Sequence, residues 1–368
     1  MAYRAGEGTH SGGTVTETMR VAASGADLRA AAALLGVAPA ALAPELLDPG
    51  ARLLVADDCA AHLRRRWTDR GTTEAVVVHR STHVTERAAL LAVASAWGCS
   101  SVRDAGTGRV LDVPGPADDA PLTERFAHLA ALAATRVEVA VALARDTGRD
   151  QRKDDGSWSI AADGAAHDAA VEVLAPLGVP VLSEEHADPA VPDDGPWVVL
   201  DPLDGTGNFR AGLPPWAFSA ALVHRGEAVA GLVVDLSSGR RWAGGVGAGA
   251  WRDGVPARVR EGSTVVAPSG RVVRVPSTAW RVRVTGCTAV DLCLVADGSA
   301  GAWHDLDRSG THVHDVAGAL AVLAAAGGVA LTDDGRPLAL RPDTAALIRF
   351  VAAASERSAR ELIGAVTG

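Results

Sequence analysis

The pattern of hydrophobic and polar positions predicts alternating helices and strands in the first third of the chain. Helical spacing of apolar residues favours helices at residues 24–36, 58–67 and 85–97. Apolar runs favour strands at 53–56 and 75–79 and a hairpin over 102–113, with its turn at 106–108. These elements predict a small α/β domain over residues 1–117, with a flexible N-terminus and no motif of recognisable chemistry. The Pro- and Asp-rich residues 114–119 are the predicted linker to the rest of the chain.

The remaining two-thirds of the chain carries longer periodic segments. Apolar residues at helical spacing predict helices at 122–145, at 163–177 and, ended by two glycines, at 313–326. Two strands, 216–223 and 228–234, are predicted to pair around the turn at 224–227. The continuous apolar run at 197–200 stops abruptly at acidic residues, which is typical of a buried strand that delivers a functional site at its end.

Composition and charge narrow the classes of partner. The chain has 368 residues, 48% of them hydrophobic, which allows a large core and two domains. Its formal net charge of -9 argues against binding to nucleic-acid phosphates or anionic membranes, since both need clustered Lys and Arg. Every apolar run is too short to span a membrane, and the N-terminus lacks the apolar core of a signal peptide. We therefore expect a cytoplasmic protein with no nucleic-acid or membrane partner.

The cysteines fit a reducing compartment. Cys59, Cys99, Cys287 and Cys293 form no C-x-x-C pair, and two of them lie in apolar runs. Buried free thiols are therefore expected in preference to a disulfide or a zinc site.

Residues 201–209, with the sequence D-P-L-D-G-T-G-N-F, form the most informative stretch of the chain. Its two carboxylates, Asp201 and Asp204, follow the apolar strand, while Pro202 fixes the turn and Gly205 permits tight backbone geometry. If a helical turn begins at Gly205-Thr206, its free N–H groups face the carboxylates. That arrangement suits Mg²⁺, which prefers oxygen ligands, together with a phosphate held by backbone donors. Taken alone, the same residues are also common in acidic surface turns.

Three more acidic elements accompany this stretch. The sequence K-D-D-G-S at 153–157 leads to Asp163 at a predicted helix start. Ser183-Glu184-Glu185 follows a short apolar strand at 179–182, and H-D-V-A-G at 314–318 opens the Ala-rich helix. Four acidic elements in this order are a far more specific signal than any one of them.

The ordered set resembles the inositol monophosphatase family, which reads K-x-D-G-S…T-x-x-D, G-E-E, D-P-x-D-G-T-x-N-F and W-D-V-A-A-G…E-A-G-G. Residues 247–254 and 286–298 are similar to its G-x-G-A-F-x-N-G and G-S/T-A-A-x-x-x-C-x-V-A-x-G segments. The resemblance covers about residues 121–368. It implies a layered α-β-α-β-α sandwich over 118–368 and a Mg²⁺-dependent phosphomonoesterase acting on a small phosphorylated polyol, sugar or related metabolite. It also implies a homodimer.

The resemblance further implies a set of metal ligands. Glu184, Asp201 and the Leu203 carbonyl would hold one Mg²⁺. Asp201 would bridge to a second ion held with Asp204 and Asp315, and Glu184 would contact a third, weaker ion. Two or three Mg²⁺ ions per site are therefore expected.

Catalytic and substrate contacts follow from the same resemblance. Asp163 and the Thr206 hydroxyl would orient and deprotonate the attacking water, and Glu184 is expected among the catalytic residues as well. The backbone amides of Gly205 and Thr206 would hold the phosphate. Three further residues are expected to contact the substrate: Thr288, Asp305 and His314.

The chain departs from the family pattern at several positions. Ile160, Ser183, Gly207, His314 and Ala325 replace the usual residues of the motifs. The segment 254–286 is shorter than usual, and three extra residues separate the last two acidic positions, 305 and 315. No expected metal ligand is lost, but the altered segments line the substrate side of the family.

Several different functions therefore stay open. Residues 239–243 and 215–217 resemble the histidinol-phosphate phosphatase branch. A nucleotide 3′-phosphatase, a specialised biosynthetic phosphatase and a non-catalytic phosphatase-like scaffold are also compatible with the sequence.

His304, His312 and His314 raise the separate possibility of a zinc site. We instead expect a solvent-exposed loop, indicated by Asp305, Asp307 and Gly310, with one histidine near the active site.

Overall fold

The computed structural model describes residues 115–367, with gaps at 118, 145–150, 153–157, 160, 186–188, 254, 269–274, 276–279 and 307–309. Before residue 115 it describes only the backbone of six strands, and the same holds for two short strands within 151–159. The predicted helices at 24–36 and 85–97, the turn at 106–108 and the K-D-D-G-S segment lie outside the described residues.

The strands described in the first third form one sheet in chain order, antiparallel except between the fourth and fifth. They are β1 (Leu46–Asp48), β2 (Ala51–Ala56), β3 (Cys59–Trp67), β4 (Thr73–Arg80), β5 (Ser101–Asp104) and β6 (Val110–Asp112). The strands expected at 53–56 and 75–79 are confirmed as β2 and β4, and the predicted hairpin is confirmed as β5 and β6. The two-domain division of the chain stays a prediction.

The helix predicted at 58–67 is wrong, because this segment is strand β3. It pairs antiparallel with β2 on one side and β4 on the other. Hydrogen bonds to two neighbouring strands satisfy its backbone groups on both edges, and this pairing overrides a weak local preference for helix.

A larger sheet organises the rest of the chain. Within the described residues it has seven strands in the order β15-β14-β13-β12-β11-β10-β9, antiparallel except for the parallel pair β9–β10. They are β9 (Val181–Ser183), β10 (Trp197–Asp204), β11 (Ala217–His224), β12 (Glu227–Asp235), β13 (Arg241–Gly245), β14 (Gly249–Arg252) and β15 (Val255–Pro256). A short hairpin, β7 (Gln151–Arg152) with β8 (Trp158–Ser159), precedes it. The predicted strand pair is confirmed as β11 and β12.

Helices cover both faces of this sheet. The helices α1 (Leu122–Ala144) and α2 (Ala161–Leu174) lie on one face, and a 3₁₀ turn at Ala175–Leu177 continues α2. Two further helices, α4 (Thr288–Ala296) and α5 (Val313–Ala325), lie on the other, and the short α3 (Thr206–Ala211) follows β10. Because side chains alternate along a strand, β10 contributes to the hydrophobic cores on both faces of the sheet. Its Val198 and Leu200 pack with α1 and α2, whereas Trp197 and Val199 pack with α4 and α5.

A second sheet completes the layers. Its described strands are ordered β17-β16-β18-β22-β20. They are β16 (Thr264–Val266), β17 (Arg281–Arg283), β18 (Ala302–Asp305), β20 (Val329–Thr332) and β22 (Phe350–Ala353); β19 (Thr311–His312) pairs separately with β21 (Leu347–Ile348). Phe350 packs towards α4 and α5, whereas Val351 packs against α6 (Glu356–Thr367). The expected α-β-α-β-α sandwich is therefore confirmed.

Glycines set how closely α5 approaches the large sheet. A Cβ at Gly231 of β12 would lie 2.3 Å from the Gly318 carbonyl oxygen, and a Cβ at Gly318 would lie 2.5 Å from Ser219 Oγ. Real Cβ atoms do not tolerate such distances, so only glycine allows this contact. The contact fixes the start of α5, where the predicted site residues His314 and Asp315 lie.

The expectation of buried free thiols is met within the described residues. Cys287 and Cys293 are buried free thiols, whereas the side chains of Cys59 and Cys99 lie outside the described part of the chain. No described helix combines the length and apolar character that crossing a bilayer requires.

Candidate active site

Four carboxylates and one imidazole converge where β9, β10 and α5 meet. Carboxylate oxygens of Asp201, Asp204 and Asp315 lie within 4.8 Å of one another. In a second group, the ligand atoms of Glu184, Asp201 and His314 also lie within 4.8 Å of one another. Asp201 belongs to both groups, so the described residues form two adjoining positions that suit a metal ion and share one carboxylate.

A β-bulge brings the two carboxylates of β10 together. In a regular strand, residues three apart point to opposite faces of the sheet. Asp201 pairs with Ser219 and Asp204 pairs with Ala217. Between these two pairs β10 therefore advances by three residues, whereas β11 advances by only two. The extra residue reverses the alternation, and Asp201 and Asp204 share one cluster. The strand predicted to stop at Leu200 thus continues through the site to Asp204.

Burial and mutual repulsion disfavour negative charge in this cluster. Burial raises the pKa of Asp201 well above its usual range, and the carboxylates of Glu184, Asp204 and Asp315 raise it further. The pKa of Asp204 is raised to about 7, mainly by burial and then by Asp315. Crowded, desolvated oxygen donors of this kind fit divalent cations, whose charge offsets both effects.

Hydrogen bonds orient the same carboxylates. The backbone N–H of Leu203 donates to Asp201 Oδ1 at 3.0 Å. The backbone N–H of Ala289 donates to Asp204 Oδ2 at 2.6 Å, and the Cys287 thiol donates to the same oxygen at 3.1 Å. These donors oppose the effect of burial on the pKa of Asp204. The residues at the start of α4 therefore orient Asp204, which the sequence predicts to be a metal ligand.

The predicted catalytic pair is in contact. Thr206 Oγ1 lies 3.2 Å from Asp163 Oδ1 and 3.1 Å from the Leu203 carbonyl oxygen. Asp163 is buried in the first turn of α2. Gly205 precedes Thr206 in the left-handed region, with φ of 86°, and a Cβ there would lie 3.1 Å from the Pro215 carbonyl oxygen. The helical turn predicted to begin at this point is confirmed as α3, and the first N–H groups of a helix lack partners within it.

The residues that are predicted to contact the substrate lie in different surroundings. Thr288 is half-buried at the start of α4, next to the amide that binds Asp204. Asp305 is buried at the end of β18, where its Oδ2 accepts a hydrogen bond from the Thr311 hydroxyl at 2.7 Å. Asp305 belongs to neither of the two groups of described side chains that could hold a metal ion.

The expectation of a solvent-exposed loop is wrong for Asp305 and Gly310, which are both buried, while Asp307 lies outside the described residues. The reason is tertiary: β18 is an interior strand of the second sheet, and Gly310 lies against the backbone of β21.

Of the histidines at 304, 312 and 314, His312 caps a helix and His314 belongs to one of the groups that could hold a metal ion. The backbone N–H of His312 donates to Asp315 Oδ2 at 3.1 Å and caps α5. The His314 ring stacks on the His312 ring with centroids 5.1 Å apart, and its Nε2 lies 3.6 Å from Asp315 Oδ1. No cluster of several histidines able to bind a metal occurs in the part of the chain that the structure describes.

The sequence did not point to three buried polar residues near the site: His167, Ser183 and Asp291. His167 Nδ1 lies 2.9 Å from Ser183 Oγ, next to Glu184. Asp291 is fully buried in α4, and its Oδ1 accepts a hydrogen bond from Thr285 Oγ1 at 2.6 Å. A lone acidic residue inside the apolar run at 288–296 was the available signal for Asp291, whereas no local pattern marked the pair formed by His167 and Ser183.

Known proteins resemble this chain in sequence over the same region. The model of the inositol monophosphatase family matches residues 118–367. A fructose-1,6-bisphosphatase/inositol-1-monophosphatase of Thermococcus kodakarensis is 32% identical over 211 residues, which cover 55% of this chain and 81% of that protein. A probable inositol 1-monophosphatase of Mycobacterium tuberculosis is 34% identical over 186 residues, covering 45% and 67% of the two chains.

Solved structures show the same fold. The inositol monophosphatase from Anabaena matches with a TM-score of 0.52 at 23% identity, covering 65% of this chain and 94% of that one. The Thermotoga maritima enzyme matches with a TM-score of 0.53 at 20% identity, covering 63% and 94%.

Proposed function

This chain belongs to the inositol monophosphatase family and is a phosphoric monoester hydrolase, and we propose that it hydrolyses a small phosphorylated polyol or sugar with Mg²⁺ as its cofactor. The observation that carries the proposal is the convergence of Glu184, Asp201, Asp204 and Asp315 into two adjoining groups that share Asp201.

The donor set supports the choice of cation. In our proposal, Glu184, Asp201 and the Leu203 carbonyl hold one ion, and Asp201, Asp204 and Asp315 hold the next. Carboxylates and carbonyls are ligands that Mg²⁺ prefers. A pair of bound divalent cations supplies a nucleophile at neutral pH and neutralises charge on the attacking and leaving oxygens.

Asp163 and Thr206 are the proposed proton acceptors. The Thr206 hydroxyl lies within hydrogen-bonding distance of Asp163 Oδ1. As a water molecule attacks phosphorus, Thr206 Oγ1 accepts a proton from it and passes its own proton to Asp163, while the P–O bond to the alcohol breaks and the departing alcohol oxygen takes a proton from solvent. Burial of Asp163 keeps competing solvent away from the carboxylate that receives this proton.

The backbone at the start of α3 is the proposed phosphate-binding element. The N–H groups of Gly205 and Thr206 donate to phosphate oxygens, and the left-handed conformation of Gly205 turns the chain so that both lie at the N-terminal end of the helix. Thr288, Asp305 and His314 are the proposed substrate-contacting residues; Thr288 precedes the residue whose amide binds Asp204, and His314 lies in one of the two groups that could hold a metal ion. The activities for which the Thermococcus and Mycobacterium relatives are named favour polyol and sugar phosphates.

The test is phosphate release from a panel of inositol, sugar, histidinol and nucleotide phosphates, with and without Mg²⁺. We expect release from an inositol or sugar phosphate that depends on Mg²⁺. Asp201→Asn should lower kcat/KM by at least about a hundredfold, which corresponds to about 3 kcal/mol of transition-state stabilisation. Asp168→Asn, on an exposed position of α2, is the matched control and should retain activity.

Each other outcome has a definite meaning. Release from histidinol or nucleotide phosphates alone would replace the proposed substrate class. Turnover without any divalent cation, or undiminished turnover by Asp201→Asn, would overturn the metal assignment. Cation binding without release across the panel would favour a specialised substrate, and absence of both would favour a scaffold.

A further inference from the structure

His314 occupies an unusual place for a helix-start residue, inside the group that is expected to bind a cation. It is the second residue of α5, and its side chain is only 5% exposed. One imidazole nitrogen lies within 4.8 Å of carboxylate oxygens of both Glu184 and Asp201. The other metal-binding group, of Asp201, Asp204 and Asp315, contains only carboxylates.

The imidazole also retains unused hydrogen-bonding capacity. Its Nδ1 is buried and has no hydrogen-bond partner among the described residues. Its Nε2 is 3.6 Å from Asp315 Oδ1, which is too long for a hydrogen bond. A buried polar atom without a partner is costly, and in a native protein it commonly marks a bound ion or a functional contact.

Neighbouring residues hold the ring in this position. It stacks on His312 with an interplanar angle of 7°. The His312 ring is itself anchored, because its Nδ1 lies 2.9 Å from the Thr344 carbonyl oxygen and must donate to it. Since the backbone N–H of His312 binds one oxygen of Asp315, the other oxygen stays available to the carboxylate cluster. Pre-positioned side chains of this kind are what metal ligands require.

We infer that His314 is a metal ligand, so that the position formed by Glu184, Asp201 and His314 is a mixed oxygen and nitrogen site that selects a first-row transition ion such as Mn²⁺ over Mg²⁺. This inference rests on the proposed cation pair. The reason for selectivity is ligand chemistry: imidazole favours transition ions, whereas an all-carboxylate position such as Asp201, Asp204 and Asp315 suits Mg²⁺.

The direct test is pulsed electron paramagnetic resonance of Mn²⁺, bound at one equivalent to the chelator-treated full chain. A directly bound imidazole produces nitrogen hyperfine coupling, and labelling the histidines with ¹⁵N changes that coupling. We expect coupling in the wild type. His314→Phe keeps an aromatic ring but removes the nitrogen, and it should abolish the coupling. The matched control is His224→Phe, which removes an exposed imidazole at the end of β11 and should retain the coupling.

Competition between Mn²⁺ and Mg²⁺ gives a second readout that does not depend on activity. His314→Phe should lower the ratio of Mn²⁺ to Mg²⁺ affinity by at least about tenfold, the lower end of the losses seen when metal-site partners are removed. His224→Phe should leave the ratio within about twofold of wild type, because His224 is exposed and lies outside both metal-binding groups.

The outcomes separate this inference from the proposed function. Mn²⁺ binding without nitrogen coupling in the wild type, or coupling that survives in His314→Phe, overturns the inference and leaves the proposed cation pair intact. Failure of the wild type to bind either cation overturns both. If His314→Phe does not fold, the ¹⁵N-labelled wild type still decides whether a histidine binds the ion.

Discussion

Asp291 allows a sharp test of how burial controls charge in this protein. Its side chain is fully buried in α4, and Oδ2 has no hydrogen-bond partner among the described residues. Burial raises its pKa from 3.8 to about 8, although the hydrogen bond from Thr285 opposes the rise. Between about pH 4 and pH 8 the folded protein therefore keeps a proton that the unfolded chain has lost.

The direction of the pH dependence follows from proton linkage. Because the folded state binds more protons in this window, the free energy of unfolding falls as pH rises from about 4 to about 8 and is level above it. A shift of about four pKa units corresponds to roughly 6 kcal/mol, at about 1.4 kcal/mol per unit. Asp291→Asn has nearly the same shape and no charge at any pH. It should match the wild type near pH 4 and exceed its stability by up to about 6 kcal/mol above pH 8.

Urea unfolding followed by tryptophan fluorescence, at pH values from 4 to 9, measures this difference. The readout is the difference in free energy of unfolding between Asp291→Asn and the wild type at each pH. In this difference the contributions from the titration of all other groups cancel. Asp168→Asn, an exposed change of the same type on a helix, is the control for loss of one carboxylate. A gap between wild type and Asp291→Asn that stays constant from pH 4 to 9 would refute the reasoning.

Three further predictions concern the site and the layer beneath it. Thr206→Val removes the hydroxyl that contacts Asp163, so phosphate-release kinetics should show kcat lower by roughly 10²–10⁴ at similar KM; an unchanged kcat would exclude the proposed proton relay. In Gly318→Ala the new Cβ would meet Ser219 Oγ at 2.5 Å, and chemical denaturation should show a loss of about 1–3 kcal/mol. Gly364→Ala, where the added Cβ meets nothing within 4 Å, should cost no stability. Divalent cations at about 100 times their Kd should raise the free energy of unfolding by about 2.7 kcal/mol over chelated protein; equal thermal midpoints would contradict cation binding.

Local patterns predicted the three longest described helices after residue 120 and the central strands of the large sheet. Apolar spacing located α1, α2 and α5, and the alternating runs located β11 and β12 with their turn, because such elements bury one continuous face. The same reasoning failed for β3, which has no strong periodicity of its own. Its strand conformation depends on β2 and β4 at both edges, and that information lies elsewhere in the chain.

The carboxylates of the site could be named from the sequence, since their motifs are local and occur in a specific order. The sequence did not disclose how Asp201 and Asp204 come to share one cluster, because that depends on a bulge between paired strands. Nor did it disclose that Asp305 is buried against Thr311, since the burial comes from an interior strand of a sheet. The catalytic and metal-binding roles themselves stay predictions.

The ordered motifs by themselves determined the family resemblance and the acidic residues, because each motif is written in a short stretch of the chain, and the resemblance in turn implied the layered fold. Only the tertiary structure decided which side chains meet. The close approach of α5 through Gly231 and Gly318 places His314 beside Glu184, 130 positions earlier in the chain. No local pattern encodes that distance, since it arises from the packing of helix on sheet.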